Sequence, residues 1–308
     1  MNRKMRAGVA AAIAITATIA FAGCAGNDPL SSGGGGATNA KSGGPVIIGS
    51  ANFAESEIIA NIYSQELQHD GVNVKEQFNI GSREVTMKAL EDGSLDLMPE
   101  YSSSVLLYLD EKAKATTRSD VIAALTAKLP KGLSLLDVSQ ATDNDTVSVT
   151  QKTADEFHLT KISDLAAVGS QIALGGPPEW KTRYNGVVGL NELYGITFQK
   201  FVTLDAGGPL TMTALTSGQV QAGDIFSTDP GIKKNNLVVL KDDKSLFADE
   251  SVVPIIRTAS VSDAVKKALN AVSAKLTTDD LITLNGQAAT GANMADIAKK
   301  WLASKGLM

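Results

Sequence analysis

The chain has 308 residues, with 28 Lys and Arg against 33 Asp and Glu, a formal net charge of −5, and a single cysteine. That length is enough for two domains of ordinary size, and one cysteine excludes an intramolecular disulfide. The acidic balance, without any basic cluster, argues against nucleic acid, whose phosphates need grouped Lys and Arg.

At the start, Arg3, Lys4 and Arg6 precede a small apolar run over 7–21, which closes as Phe21-Ala22-Gly23-Cys24. A basic stretch, a short apolar stretch and small residues before a cut describe a secretory signal, too short for an ordinary membrane span. The position of Cys24 directly after Ala-Gly resembles a bacterial lipobox, which implies cleavage before it and diacylglycerol on its sulfur. Residues 1–23 are therefore expected to be a lipoprotein signal peptide. The Gly/Ser/Asn-rich segment 24–45 is expected to be a flexible tether that holds the body outside the cytoplasm, anchored to the cell membrane. No later segment has 18 uninterrupted apolar residues.

The body begins with a strand at 46–49, followed by apolar residues at helical spacing from Ile58 to Leu67, with Asn52 as the expected N-cap. Free N–H groups at that helix start could hold an anion. A strand at 72–78, a helix at 83–92 and a strand at 95–99 lead to Tyr101-Ser102-Ser103-Ser104. Ser119-Asp120 opens a helix through 129, an extended piece follows at 133–138, and a polar stretch leads to a strand at 146–150. Further strands are expected at 171–174 and 200–204, with a loop at 175–186 and a helix through 194 between them. After the turn Gly207-Gly208-Pro209 come a helix, a strand ending at Phe226, extended runs at 237–240 and 251–256, and helices opening near Val261, Thr277 and Ala292. Thr277 and Asp280 have capping-box spacing.

Residues 86–102 recur 125 positions later as 211–227, with Thr86, Met87, Ala89, Leu90, Gly93 and Ser102 meeting identical residues. The same offset aligns the first apolar runs, so each copy reads strand, helix, strand, helix, strand. Because ligands of open α/β sheets sit off the carboxyl ends of the strands, two such lobes would bring Tyr101 and Phe226 into one cleft. The expected organisation is lobe I from 46–144 and 248–308, and lobe II from 145–247. The fold class is α/β, a two-lobed periplasmic-binding-protein fold of type II with two interlobe crossovers that serve as a hinge.

Chemistry for catalysis is sparse. His69 and His158 lie in polar surroundings away from the expected cleft, and there is no phosphate-binding or dinucleotide fingerprint. No metal or cofactor is expected, and a binding protein without enzyme activity is expected ahead of the alternative of an exported enzyme on the same two-lobed scaffold. The loop 177–184 offers Trp180 and Arg183 to the opposite lobe. Arg183 is placed to pair with a solute carboxylate or with an acidic group of an interlobe or surface ion pair.

GSANFAESEIIA (49–60), LDLMPEYSSS (95–104), PPEWKTRYNG (177–186), IFSTDPGI (225–232) and LVVLKDDKSLF (237–247) stand in the order in which similar pieces occur in a known family. From residue 45 onward the sequence resembles the osmoprotectant-binding proteins of ABC importers, which take up glycine betaine, choline and carnitine. The resemblance implies a solute captured between the lobes and delivered to a permease and ATPase, with the receptor expected to be a monomer. It carries onto this chain a ligand-binding set of Tyr101, Ser104, Arg183 and Phe226, beside Asn52 and Phe53 of the first loop. A quaternary ammonium donates no hydrogen bond, so an aromatic cage holds it by cation–π attraction. Val147 and Met212 stand where many relatives have tyrosine, and Ala51 where some have lysine. On that alignment half the cage is replaced, with Trp180 as a substitute, which opens the alternative of a larger apolar or hydroxylated ligand.

Overall fold

The computed structural model describes residues 44–308. The expected signal peptide, Cys24 and the expected tether up to residue 43 lie outside the described residues. Two five-stranded sheets, each covered by helices on both faces, make the two-lobed α/β fold that the repeat predicts.

The first sheet is built from β1 (Val46–Gly49), β2 (Val74–Gln77), β3 (Leu97–Tyr101), β4 (Leu133–Leu135) and β10 (Val252–Arg257) in the order β2-β1-β3-β10-β4. The second contains β5 (Asp145–Thr150), β6 (Ala173–Gly176), β7 (Lys200–Thr203), β8 (Ala222–Phe226) and β9 (Leu237–Val239) in the order β7-β6-β8-β5-β9. In each, three parallel strands are followed by one that runs antiparallel to them: β10 beside β3 in one, β5 beside β8 in the other. The registers correspond as well, because Tyr101 pairs with Val252 and Phe226 with Asp145.

Helices pack where the apolar spacing demands. The helix α1 (Ala54–His69) buries Ile58, Ile59, Ile62, Tyr63 and Leu67 against α9 (Asp263–Ser273), α10 (Thr278–Ala289) and α11 (Met294–Lys305) on one face of the first sheet. Its opposite face is covered by α2 (Arg83–Asp92), α3 (Ser102–Leu109) and α4 (Arg118–Lys128), through Met87, Leu90, Val105, Leu106, Val121 and Leu125. Each fully buried aliphatic side chain contributes roughly 1.5–3 kcal/mol, so both faces of this sheet are needed. In the second lobe, α5 (Gln151–Phe157) and α6 (Gly189–Tyr194) cover one face, with Trp180 in a short 3-10 turn between them. The other face is covered by α7 (Pro209–Thr216) and the one-turn α8 (Gly231–Lys234).

Most predicted elements are present, with three differences. Asn52 does not cap α1: the cap position is Phe53, in extended backbone and without a side-chain cap. The serines after Tyr101, to which the sequence reading assigns no element, are the first turn of a helix. A kinked 3-10 and π segment stands where a loop and a longer helix were expected, so that α6 begins only at Gly189. The Thr277/Asp280 capping box forms as the spacing predicts, with Asp280 in the role usual for Glu or Gln.

The chain passes between the sheets twice, and the two passages lie side by side. Thr142 bridges Ser251 in antiparallel fashion, Asp143 N donates to Glu250 O at 3.1 Å, and Asn144 Nδ2 to Ala248 O at 2.7 Å. Asp143 and Glu250, one from each passage, line the opening between the lobes.

Candidate ligand-binding cleft

The cleft lies where the carboxyl ends of β3 and β8 face each other, and both Tyr101 and Phe226 line it. The ring of Phe53 joins them. Its centroid is 5.8 Å from that of Tyr101 and 5.3 Å from that of Phe226, which it meets edge to face. Such contacts add about 0.5–1.5 kcal/mol to area burial and hold the three rings as one wall. Tyr101 is also fixed at its far end, where its hydroxyl donates to Glu55 Oε1 at 2.7 Å. Phe226 is seated by the turn before α7: Gly207 has a φ of +58°, and a Cβ there would come within 2.5 Å of the Phe226 ring.

Glu55, in the first turn of α1, is buried and draws the lobes together. It accepts from Thr228 Oγ1 at 2.7 Å and from Asn285 Nδ2 at 2.5 Å, in addition to Tyr101. Burial pushes its carboxyl above the ordinary range, and these three hydrogen bonds oppose that rise.

Six carboxyl residues and two arginines line the cleft: Glu100, Asp143, Asp145, Glu179, Asp224 and Glu250, with Arg83 and Arg183. Arg83 makes a two-pronged pair with Glu100, through Nε at 3.2 and 3.1 Å and Nη2 at 2.9 Å. Arg183 reaches across the cleft to Glu84 of α2, with Nε to Oε1 at 3.0 Å and Nη2 to Oε2 at 2.9 Å. Against the upward push of burial, this pair and the Ser82 hydroxyl, which donates to Glu84 Oε2 at 2.6 Å, hold the Glu84 carboxyl down at about 2. Asn185 makes a second contact across the lobes, donating to Ser104 Oγ at 3.1 Å and to Asp145 at 3.0 Å.

The remaining buried acids differ in how far hydrogen bonds compensate them. Glu250 faces the N-terminus of α3, accepting from Ser104 N at 3.1 Å and from Ser104 Oγ at 2.5 Å. Burial nevertheless raises it to about 7. Asp143 accepts from Ser227 Oγ at 3.0 Å and Thr228 N at 2.9 Å, yet burial and the Glu55 charge raise it well above the ordinary carboxylate value. Asp224 is fully buried, and among the described residues neither of its oxygens has a hydrogen-bond partner. Burial first, and then the Asp145 charge, lift it far above the usual range.

Of the residues singled out in the sequence, Asn52, Phe53, Tyr101, Ser104, Trp180, Arg183 and Phe226 line this cleft. Asn52 is exposed, and its N–H donates to Gly81 O at 3.1 Å. Trp180 is 1% exposed and lies parallel to Phe247 at 6.3 Å, in the packed interior behind the cleft wall. The Arg183 alternatives resolve to the interlobe ion pair in this conformation. Val147 and Met212 are a correction: neither is among the lining residues. Val147 pairs with Asp224 on the neighbouring strand but is fully buried in the apolar core of the second lobe. Met212 packs on the outer face of that sheet, where its sulfur accepts from Asn235 Nδ2 at 3.4 Å. Arg83, Glu100, Asp145, Asp224 and Glu250 were not anticipated, although Asp224 gives one signal, an acidic residue inside the otherwise apolar strand AGDIF.

The profile of the OpuAC family, described as the substrate binding domain of ABC-type glycine betaine transport system, matches residues 44–304. A glycine-betaine-binding protein of Pseudomonas aeruginosa is 31% identical over 224 residues, covering 68% of this chain and 70% of that protein. The carnitine transport binding protein OpuCC of Listeria monocytogenes is 29% identical over 255 residues, covering 79% of this chain and 80% of its own. Among solved structures, one titled as a glycine betaine/carnitine/choline ABC transporter superposes with a TM-score of 0.67 at 24% identity, covering 85% of this chain and 99% of that one. A choline-binding protein of an ABC transporter, in complex with choline, gives a TM-score of 0.64 at 14% identity over 85% of this chain and 89% of its own.

Proposed function

This chain belongs to the OpuAC family of substrate-binding domains, and from that premise we propose that it is a lipid-anchored, extracytoplasmic receptor that captures an osmoprotectant such as glycine betaine and hands it to an ABC permease. The observation that carries this reading is the wall of three aromatic rings, Phe53, Tyr101 and Phe226, drawn from both lobes and set among acidic groups. A quaternary ammonium has positive charge and no donor, so ring faces and nearby carboxylates are the groups that attract it. Closure over the solute is supported by the Arg183–Glu84 and Asn185–Ser104 contacts across the cleft, which exist only when the lobes approach. The Cys24 diacylglycerol anchor supplies proximity to the membrane, and the permease and its ATPase receive the solute unchanged.

Calorimetric titration of the purified protein with glycine betaine, choline and carnitine tests the assignment. Micromolar or tighter binding of at least one is expected. Millimolar or absent binding of all three would remove osmoprotectants from it. The alternative of a larger apolar or hydroxylated ligand loses the ground given for it, since Val147 and Met212 do not line the cleft.

A further inference from the structure

Resting on the reading of this cleft as the solute site, we infer that its preferred ligand is an organic cation that carries an N–H or O–H donor and no carboxylate, with the donor seated on Asp224. The inference begins with what is already taken. A betaine-type solute brings a carboxylate, and the groups that would receive it are the two lining arginines and the N–H groups at the start of α3. Arg83 is held in two-pronged fashion by Glu100 and Arg183 by Glu84, while the α3 amides face Glu250. A solute carboxylate would have to displace one of these internal carboxylates and leave it without its partner in a buried site, which is costly.

On the other side stands an acid with nothing to bind. Asp224 lies on β8 two residues before Phe226, so both side chains project from the same face of the strand toward the cleft. It is fully buried, and among the described residues both its oxygens lack a hydrogen-bond partner. A buried polar group left unmatched costs about 1–3 kcal/mol, more if charged, and a ligand that supplies the missing donor recovers that cost. The nearby Asp145, which accepts from the Asn185 amide at 3.0 Å and lies near both arginines, adds its charge to that of Asp224. A cation whose apolar body meets the Phe226 wall and whose donor meets Asp224 answers both the charge and the missing hydrogen bond. Glycine betaine answers only the charge, and it brings a carboxylate into an acidic enclosure.

The test is a calorimetric ranking of choline, dimethylaminoethanol and glycine betaine on the wild-type protein, repeated on Asp224→Asn with a thermal melt to verify folding. Choline and dimethylaminoethanol are expected to bind at least about tenfold more tightly than glycine betaine, the scale set by matching or missing one buried hydrogen bond. Asp224→Asn should erase most of that preference. Equal affinity for choline and glycine betaine, or an unchanged choline affinity in the folded variant, overturns the inference and leaves the receptor reading intact. Failure of all three to bind the wild type overturns both. The wild-type ranking decides the matter even if the variant does not fold.

Discussion

Phe53 occupies the middle of the aromatic wall and touches both other rings, so its loss should be felt more than that of either partner. Phe53→Ala is expected to weaken binding of the quaternary ammonium by about 0.5–2 kcal/mol, roughly 2- to 30-fold in Kd, whereas Phe226→Tyr should change it little. Titration calorimetry on the two variants measures both. Arg183 acts by shape as well as charge, because its fork meets both oxygens of Glu84. Lysine cannot reproduce that fork. Arg183→Lys should therefore speed ligand release with little change in the melting temperature of the ligand-free protein. The pair is partly exposed, with 22% of the Arg183 and 41% of the Glu84 side chain open to water, so its contribution to closure is limited to about 1 kcal/mol or less after screening. Stopped-flow release rates report that difference, and an unchanged rate would show that the pair does not hold the cleft shut.

At the scale of elements, the turn Gly207-Gly208-Pro209 sets the cleft as much as any strand does. Gly207 combines a left-handed backbone with a ring where a Cβ would stand. Gly207→Ala should push Phe226 aside and weaken solute binding several-fold, with a loss of about 1 kcal/mol or more in stability, seen in parallel melts and titrations. Elements of this kind were readable from the chain because turn residues and apolar spacing are local signals. Strands β1, β7 and β8, helix α2 and the capping box of α10 all follow from them. The start of α3 was not readable in this way, since three serines after an aromatic fit a loop as well as a first turn, and Glu250 satisfies that turn from 146 residues away. The acidic lining was hidden for the same reason. Glu100, Asp145, Asp224 and Glu250 come from three separate strands and a crossing segment, and nothing in hydrophobic periodicity says which polar side chains will meet. Val147 and Met212 were expected in the lining, but Val147, on the same face of β5 as Asp145, lies two residues deeper in the apolar core, and Met212 packs on the outer face of the sheet, because a motif fixes sequence position and not depth or helix face.

For the whole molecule, the cluster of buried acids predicts an unusual pH profile. Glu250 is raised from its ordinary 4.5 to about 7, and Asp143, Asp145 and Asp224 are raised as well, each chiefly by burial. A carboxyl whose value rises on folding favours the folded state fully below its unfolded value, and that contribution is lost as pH climbs through the folded value. The ligand-free protein should therefore lose melting temperature between about pH 5 and 8, and Glu250→Gln should flatten part of the slope. Glu84, held down at about 2, keeps its contribution across that window and does not cancel the trend. A bound organic cation stabilises the ionised acids, so added ligand should raise the melting temperature more at pH 8 than at pH 5. Calorimetric scans across pH, with and without ligand, check both statements.

The exchange of strands between halves has a further consequence. β5 belongs to the sheet that the chain has only just entered, and β10 returns to complete the one it left, each sitting directly against a strand that ends in a cleft aromatic. Neither half is a finished object by itself. Severing the polypeptide near residue 140 would deprive the amino-terminal fragment of an interior strand and expose the flank of β3, so the separate pieces should be insoluble, yet regain solubility when produced together.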